Sequence, residues 1–258
     1  MLARALIGGL LSIVAALIAR STRTLSRSGA IAASIVGTIC IAADWSWGAL
    51  LFSFFVSTSA LSKLGERRKA ERVGTVVDKG DERDFAQVLA NGGVYTGAGL
   101  GYLLFPSAAW YAIAAGAVAA SAADTWATEV GTLAAAEPVS IISGKQVPAG
   151  TSGGVSLLGT TAGVAGALFI GAAVTLAHWP VPFAAVALGG IAGALADSIL
   201  GATVQARRWC DLCAKGTERL VHSCGTQTRH VGGIAGFDND VVNALCSGIG
   251  ALVALLLS

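Results

Sequence analysis

The chain has 258 residues and a formal net charge of +2; 54% of its residues are hydrophobic and 12% charged, with a mean hydropathy of +0.71. Soluble domains carry about twice that charged fraction, and the apolar residues here come in blocks of about 17–25, the length that crosses a bilayer. An ordinary soluble domain is therefore excluded.

Eight spans are predicted in chain order, at about 2–19, 28–43, 46–64, 85–105, 108–132, 156–178, 182–203 and 239–257. The first has no small-x-small cleavage site behind it and reads as a span rather than a signal peptide. The second is short and alanine-rich, which leaves seven spans as the other reading. The expected fold class is all-α, a polytopic helical bundle forming one transmembrane domain over 1–258. Glycines recur four apart inside the spans, as at Gly97/Gly101, Gly159/Gly163 and Gly189/Gly193, a spacing that lets helix backbones approach closely in lipid.

The connections alternate in charge. Loop 20–27 carries Arg20, Arg23 and Arg27, and segment 63–84 carries Lys63, Arg67, Arg68, Lys69, Arg72, Lys79 and Arg83. Loop 133–155 carries Lys145, and loop 204–238 carries Arg207, Arg208, Lys215, Arg219 and Arg229. The turns near Asp44, Pro106 and Pro180 carry none, so only Arg4 escapes the pattern. Basic residues mark the cytoplasmic side, which makes 65–84, 133–155 and 204–238 cytoplasmic loops and puts both termini outside. Cations that follow topology in this way give no basis for nucleic-acid binding. The dense run from Lys63 to Lys69 either grips anionic headgroups or binds phosphates.

Acidic residues then stand where spans want none. Asp124 and Glu129 lie in span five and Asp197 in span seven. The contexts GAVAASAADT (116–125) and GGIAGALADS (189–198) are alike, and the two spans run parallel, so both aspartates reach one depth. Span four opens with Asp84, Gln87 and Asn91 on one helical face. Span eight opens with Asp238, Asn239, Asp240 and Asn243, of which Asp240 and Asn243 share a face, as do Asn239 and Asn243. Asp84 and Asp238 also fit as helix N-caps. A carboxylate in the hydrocarbon region is costly unless paired or solvated. Oxygen ligands gathered without His or thiol suit a hard cation such as Mg²⁺, with Asp124, Asp197 and Asp240 as its ligands.

The loop after span five contains Lys145, Pro148, Gly150, Thr151, Ser152, Gly153 and Gly154. Backbone N–H groups in such a turn at a helix start suit an anion, although the GxxxxGK[ST] spacing of a P-loop is absent. In loop 204–238, Cys210, Cys213 and Cys224 are read either as reduced thiols or, with His222 as the better fourth ligand than His230, as a zinc site. Cys40 and Cys246 read as packing residues.

Six motifs in order, SKLGERRK, QVLANGG, ADTWATEVG, KQVPAGTSGGVSLLG, ADSILGATVQ and RHVGGIAGFDNDVVN, resemble the DUF92 family, also called the transmembrane protein 19 family. That family includes a plant phytyl-phosphate kinase of tocopherol biosynthesis, which uses CTP. Asp124, Ala127, Gly131, Pro148, Gly150 and Thr151 also fall on a pattern similar to CTP-using dolichol kinases and phosphatidate cytidylyltransferases. The resemblance implies an integral membrane enzyme of a bacterial inner or thylakoid-type membrane. It would phosphorylate a prenyl monophosphate with CTP and Mg²⁺. Asp124, Asp197, Glu129, Lys63 and Arg67 are then expected to act at the reacting phosphates. Arg68, Gln87, Asn91, Lys145, Pro148, Gly150, Thr151, Ser152, Gly153, Asn239 and Asn243 are expected to bind nucleotide or phosphate. The expected partners are a prenyl monophosphate, a nucleotide and membrane lipids, and a homodimer is compatible with the sequence. A lipid cytidylyltransferase and a transporter are the alternatives.

Overall fold

The structure is a computed structural model that describes residues 2–73 and 82–258; Lys79, counted above among the basic residues, lies outside them. The described residues form eight long helices. These are α1 (Leu2–Ser21), α2 (Arg27–Ala43), α3 (Trp45–Lys63), α5 (Phe85–Leu104), α6 (Ala108–Gly131), α7 (Leu157–Leu176), α8 (Phe183–Thr203) and α9 (Asn239–Leu256). A short amphipathic α4 (Glu66–Val73) follows α3. Each of the eight stretches expected to be apolar helix is found as a helix. By length and composition α1, α7, α8 and α9 are sufficient to cross a membrane, and α2 is apolar but has only 17 residues. The remaining helices are diluted by Ser, Thr and Asn and, in α6, by Asp124 and Glu129.

Small antiparallel sheets decorate the connections without changing the all-α class. β1 (Val139–Ser140) pairs with β2 (Gly154–Val155), and β3 (Arg207–Cys210) lies between β4 (Lys215–Thr217) and β5 (Arg229–Gly232).

The interior is built from small residues. Helix α6 is buried on every side from Ala114 to Ala123, whereas large apolar side chains such as Leu6, Leu10, Leu17, Leu188 and Leu252 face outward. That inverted distribution is expected where lipid, not water, surrounds the bundle.

Glycine contacts set the spacing between helices. A Cβ on Gly116 of α6 would lie 2.3 Å from the Gly250 carbonyl oxygen of α9, and one on Gly189 of α8 would lie 2.7 Å from that same oxygen. On Gly193 a Cβ would come within 2.4 Å of the Ala120 Cβ. Helix α7 approaches α6 in the same way through Gly159, Gly163 and Gly166, against the carbonyls of Ala127, Ala123 and Ala122.

The two ends of the bundle differ. At one end an aromatic group gathers Trp47, Tyr95, Tyr102, Tyr111 and Trp179, with ring centroids 4.9–5.7 Å apart. Tyr95 donates to the Trp47 carbonyl at 2.8 Å, and Trp179 Nε1 to Ser46 Oγ at 2.9 Å. Asp44 caps α3 there and accepts a 2.7 Å bond from Arg4. Partial burial opposes its charge, but hydrogen bonds from Ser46 and the Arg4 cation hold its carboxyl below the usual range. At the other end the basic connections meet. Ser26 N–H donates to the Arg83 carbonyl, Arg83 N–H to the Thr24 carbonyl, and Lys63 to the Thr22 carbonyl.

The three-helix contact at Gly250 has a direct test. Gly250→Val is expected to lower the thermal midpoint in detergent through overpacking of about 1–3 kcal/mol. Gly93→Ala and Gly248→Ala, where a Cβ meets nothing within 4 Å, are expected to leave it unchanged or slightly raised.

Candidate active site

Asp124 and Asp197 stand eight residues beyond Gly116 and Gly189, about 12 Å along their helices. Because both glycines sit against Gly250, the two aspartates arrive side by side, and their carboxyls are in hydrogen-bonding contact. Asp197 Oδ2 is buried without a partner, and no Lys or Arg among the described residues pairs with either group. Two carboxyls in such contact require a shared proton or a cation between them. Helix α9 runs antiparallel to both and begins at this level, bringing Asp240 and Asn243 to the same cavity.

The glycine-rich turn lies against the end of α8. Gly153 has φ +75°, and a Cβ there would meet the Ser198 carbonyl oxygen at 2.6 Å and the Ala202 Cβ at 2.4 Å. Only glycine lets the turn sit one residue from Asp197. Thr151 N–H and Gly154 N–H are used inside the loop, bonding the Pro148 and Thr151 carbonyls. The Ser152 and Gly153 N–H groups have no partner among the described residues. Ser156 caps α7 by accepting from Gly159 N–H at 3.1 Å.

A cationic network forms the next wall. Lys69 Nζ bonds Glu129 Oε2 at 2.6 Å, and Ser62 Oγ donates to Glu129 Oε1 at 2.7 Å. Arg83 donates to Thr58 Oγ1 at 3.2 Å and to Ser62 Oγ at 3.4 Å. Glu129 thus has two cations beside it, Lys69 and Arg83, and Lys63 lines the same wall.

Among the other expected residues, Gln87, Asn91, Asn239, Gly150, Thr151 and Ser152 line the cavity. Gln87 is at the same time committed to a capping box with Asp84, and Asp238 caps α9. Arg67 and Arg68 are exposed on α4, Lys145 is exposed in its turn, and none of the three reaches the cavity; nor does Pro148. On α4 the residue that turns inward is Lys69, 8% exposed. Lys69, Arg83 and Glu218 were not singled out as site residues in the sequence. Glu218 accepts from Ser152 Oγ and faces Asp197. No local motif marks it, since its partners lie far away in the chain.

The carboxylates, the turn at 150–154, Glu218, Lys63, Lys69 and Arg83 open on one cavity of about 1400 Å³. One part is polar, with the carboxylates, the glycine-rich turn and the cations. The rest is apolar, with Leu11 and Ile18 of α1, Phe52 and Phe55 of α3, Val164 of α7 and Leu195 of α8.

Comparison with known proteins agrees with this architecture. The sequence matches the family described as Integral membrane protein DUF92 over residues 10–251. The chain belongs to that family. It is similar to Protein PGR of Arabidopsis thaliana, at 31% identity over 86% of this chain and 84% of that protein. It is also similar to an uncharacterized membrane protein of Methanocaldococcus jannaschii, MJ0933, at 33% identity over 78% of this chain and 83% of that protein. No solved structure matches it.

The Lys69–Glu129 pair tests the inward reading of α4. Lys69→Met is expected to destabilise the protein by about 1.5–3 kcal/mol, because Glu129 loses a charged partner. Lys69→Met combined with Glu129→Gln is expected to recover part of the loss, and Arg67→Met to change the thermal midpoint little.

Proposed function

We propose that this protein is a CTP-dependent kinase of a prenyl monophosphate such as phytyl phosphate, working with Mg²⁺. The observation that supports this best is the paired Asp124 and Asp197, half-buried beside a glycine-rich turn in a cavity that continues into apolar walls. A nucleotide needs the first part and a lipid phosphate needs both.

The donor set fits a hard cation: carboxylates from three helices, one of them with a buried, unpartnered oxygen, and no thiol or imidazole among the residues that line the cavity. Mg²⁺ held by Asp124, Asp197 and Asp240 would neutralise charge on the nucleotide phosphates. The chain's own groups do the rest. Ser152 and Gly153 N–H groups orient phosphate oxygens. Lys63, Lys69 and Arg83 attract the acceptor phosphate, replacing the roles expected of Arg67 and Arg68. The apolar walls take the prenyl tail. An oxygen of the acceptor monophosphate bonds to the γ-phosphorus, the bond from that phosphorus to the β–γ bridging oxygen breaks, and CDP leaves. The acceptor is already anionic, so positioning and charge stabilisation carry the reaction without a strong base. By the positive-inside rule the basic end is assigned to the cytoplasm and both termini to the other side.

Purified protein given CTP labelled at the γ-phosphate and phytyl monophosphate is expected to yield labelled diphosphate, and chelation of divalent metal to stop it. Asp124→Asn and Asp197→Asn are expected to reduce turnover on the order of 10²–10³-fold. Arg68→Ala and Lys145→Ala should stay within about twofold, as exposed substitutions do. Product labelled only from α-labelled CTP would make the enzyme a cytidylyltransferase instead. No label from either, with other prenyl phosphates also inert, would remove the proposal.

A further inference from the structure

We infer that Cys210, Cys213, His222 and Cys224 form a structural zinc site that clamps the β3–β4–β5 sheet against the mouth of the cavity. One ligand atom from each of the four lies within 4.8 Å of the others. Cys210 and Cys224 Sγ are 3.6 Å apart, and His222 Nδ1 is 3.3 Å from Cys224 Sγ. A tetrahedral zinc with ordinary Zn–S and Zn–N bonds places its ligand atoms about 3.5–3.8 Å apart. A disulfide would need its sulfurs about 2.05 Å apart, and three thiols leave one over.

Two tight turns deliver the ligands. The first links β3 to β4 and carries Cys210 and Cys213, closing at Ala214 with φ +49°. The second carries His222 and Cys224, closed by a bridge between Val221 and Gln227 and by Gly225 at φ +82°. The opposed pairs, Cys-x₂-Cys and His-x-Cys, approach from the two sides as a structural zinc site requires, and three sulfurs with one imidazole suit zinc. His222 is 4% exposed, and its Nε2 has no partner among the described residues. With the proton on Nε2, Nδ1 keeps its lone pair toward the thiols.

The sheet needs such a clamp. Its strands are 4, 3 and 4 residues long. Apart from the half-buried Trp209, the large apolar side chains of its strands and turns, such as Leu212, Leu220 and Val231, lie outside any core at 72%, 67% and 46% exposure. Short strands without a core are unstable alone, and a metal is a common substitute for one. Glu218 and Arg219 lie between the two ligand pairs in sequence and line the cavity, so the clamp sets where Glu218 meets Ser152. This inference does not depend on the kinase reading.

Elemental analysis of the full-length protein, purified in detergent without added metal or chelator, is expected to find one zinc per chain. Cys213→Ser and Cys224→Ser are each expected to lose it, whereas Asp197→Asn keeps it. After exchange, cobalt should show the strong visible bands of a tetrahedral thiolate site. Chelation of the wild-type protein should speed proteolysis within 204–238 several-fold and leave the helices intact. Substoichiometric metal with no tetrahedral cobalt spectrum would overturn the inference, as would iron in zinc's place. Zinc retained by both cysteine variants, or lost from Asp197→Asn alone, would also overturn it by placing the metal at the carboxylates.

Discussion

The close approach of α6, α8 and α9 through glycine and alanine is the constraint on which the rest depends. In lipid, helices gain little from apolar burial against one another, so contact of small residues decides how they pack. Here Gly116 and Gly189 meet one carbonyl, that of Gly250, and Gly193 packs on Ala120. Two parallel helices pinned at equivalent positions stay in step along their length. Eight residues further on, both present an aspartate. The likeness of the two sequence contexts is therefore a matter of register: identical spacing from glycine to aspartate converts a helix contact into a carboxylate pair.

Polar side chains lock that register from within. Ser121 of α6 donates to the Asn91 carbonyl of α5 at 2.9 Å and meets Ser247 of α9 at 2.8 Å. These bonds sit one turn from Asp124, among groups otherwise surrounded by alanine. A buried hydroxyl left unpaired costs free energy, so any slip of α9 against α6 is opposed by both packing and hydrogen bonding. Around the aspartates the bundle separates function by depth. Aromatic rings fill the end where Arg4 pairs with Asp44, and the buried carboxylate pair, amides and most of the cations occupy the other. The cavity joins the polar end to an apolar flank, which is the division of chemistry that an amphiphilic phosphate ester would need.

The helix bounds, the shared depth of Asp124 and Asp197, and the capping roles of Asp84 and Asp238 were legible in the sequence, because each depends on spacing within one segment. The weight given to Arg67 and Arg68 shows where that reading runs out. Arg67, Arg68 and Lys69 are consecutive cations, and charge alone does not say which of them a short helix turns inward. The decision came from Glu129 and Ser62, which belong to other helices. Arg83 is fixed in the same way by Thr58 and Ser62, and Glu218 by Ser152. Segment 204–238 could be read as holding four candidate metal ligands, but what brings its two turns together is the pairing of β3 with β5, as of Arg208 with His230.

By itself the sequence determined which segments are helical, which end of each carries charge, and that two aspartates stand at one level, since all three follow from periodicity and composition along a single helix. Only the tertiary structure decided which cation neutralises Glu129, that the carboxyls of Asp124 and Asp197 touch, and that Glu218 closes over Ser152. The physical reason is that these are contacts between helices and loops. They depend on interhelical distances of a few ångströms, set by which glycine meets which carbonyl, and no segment read alone contains that distance.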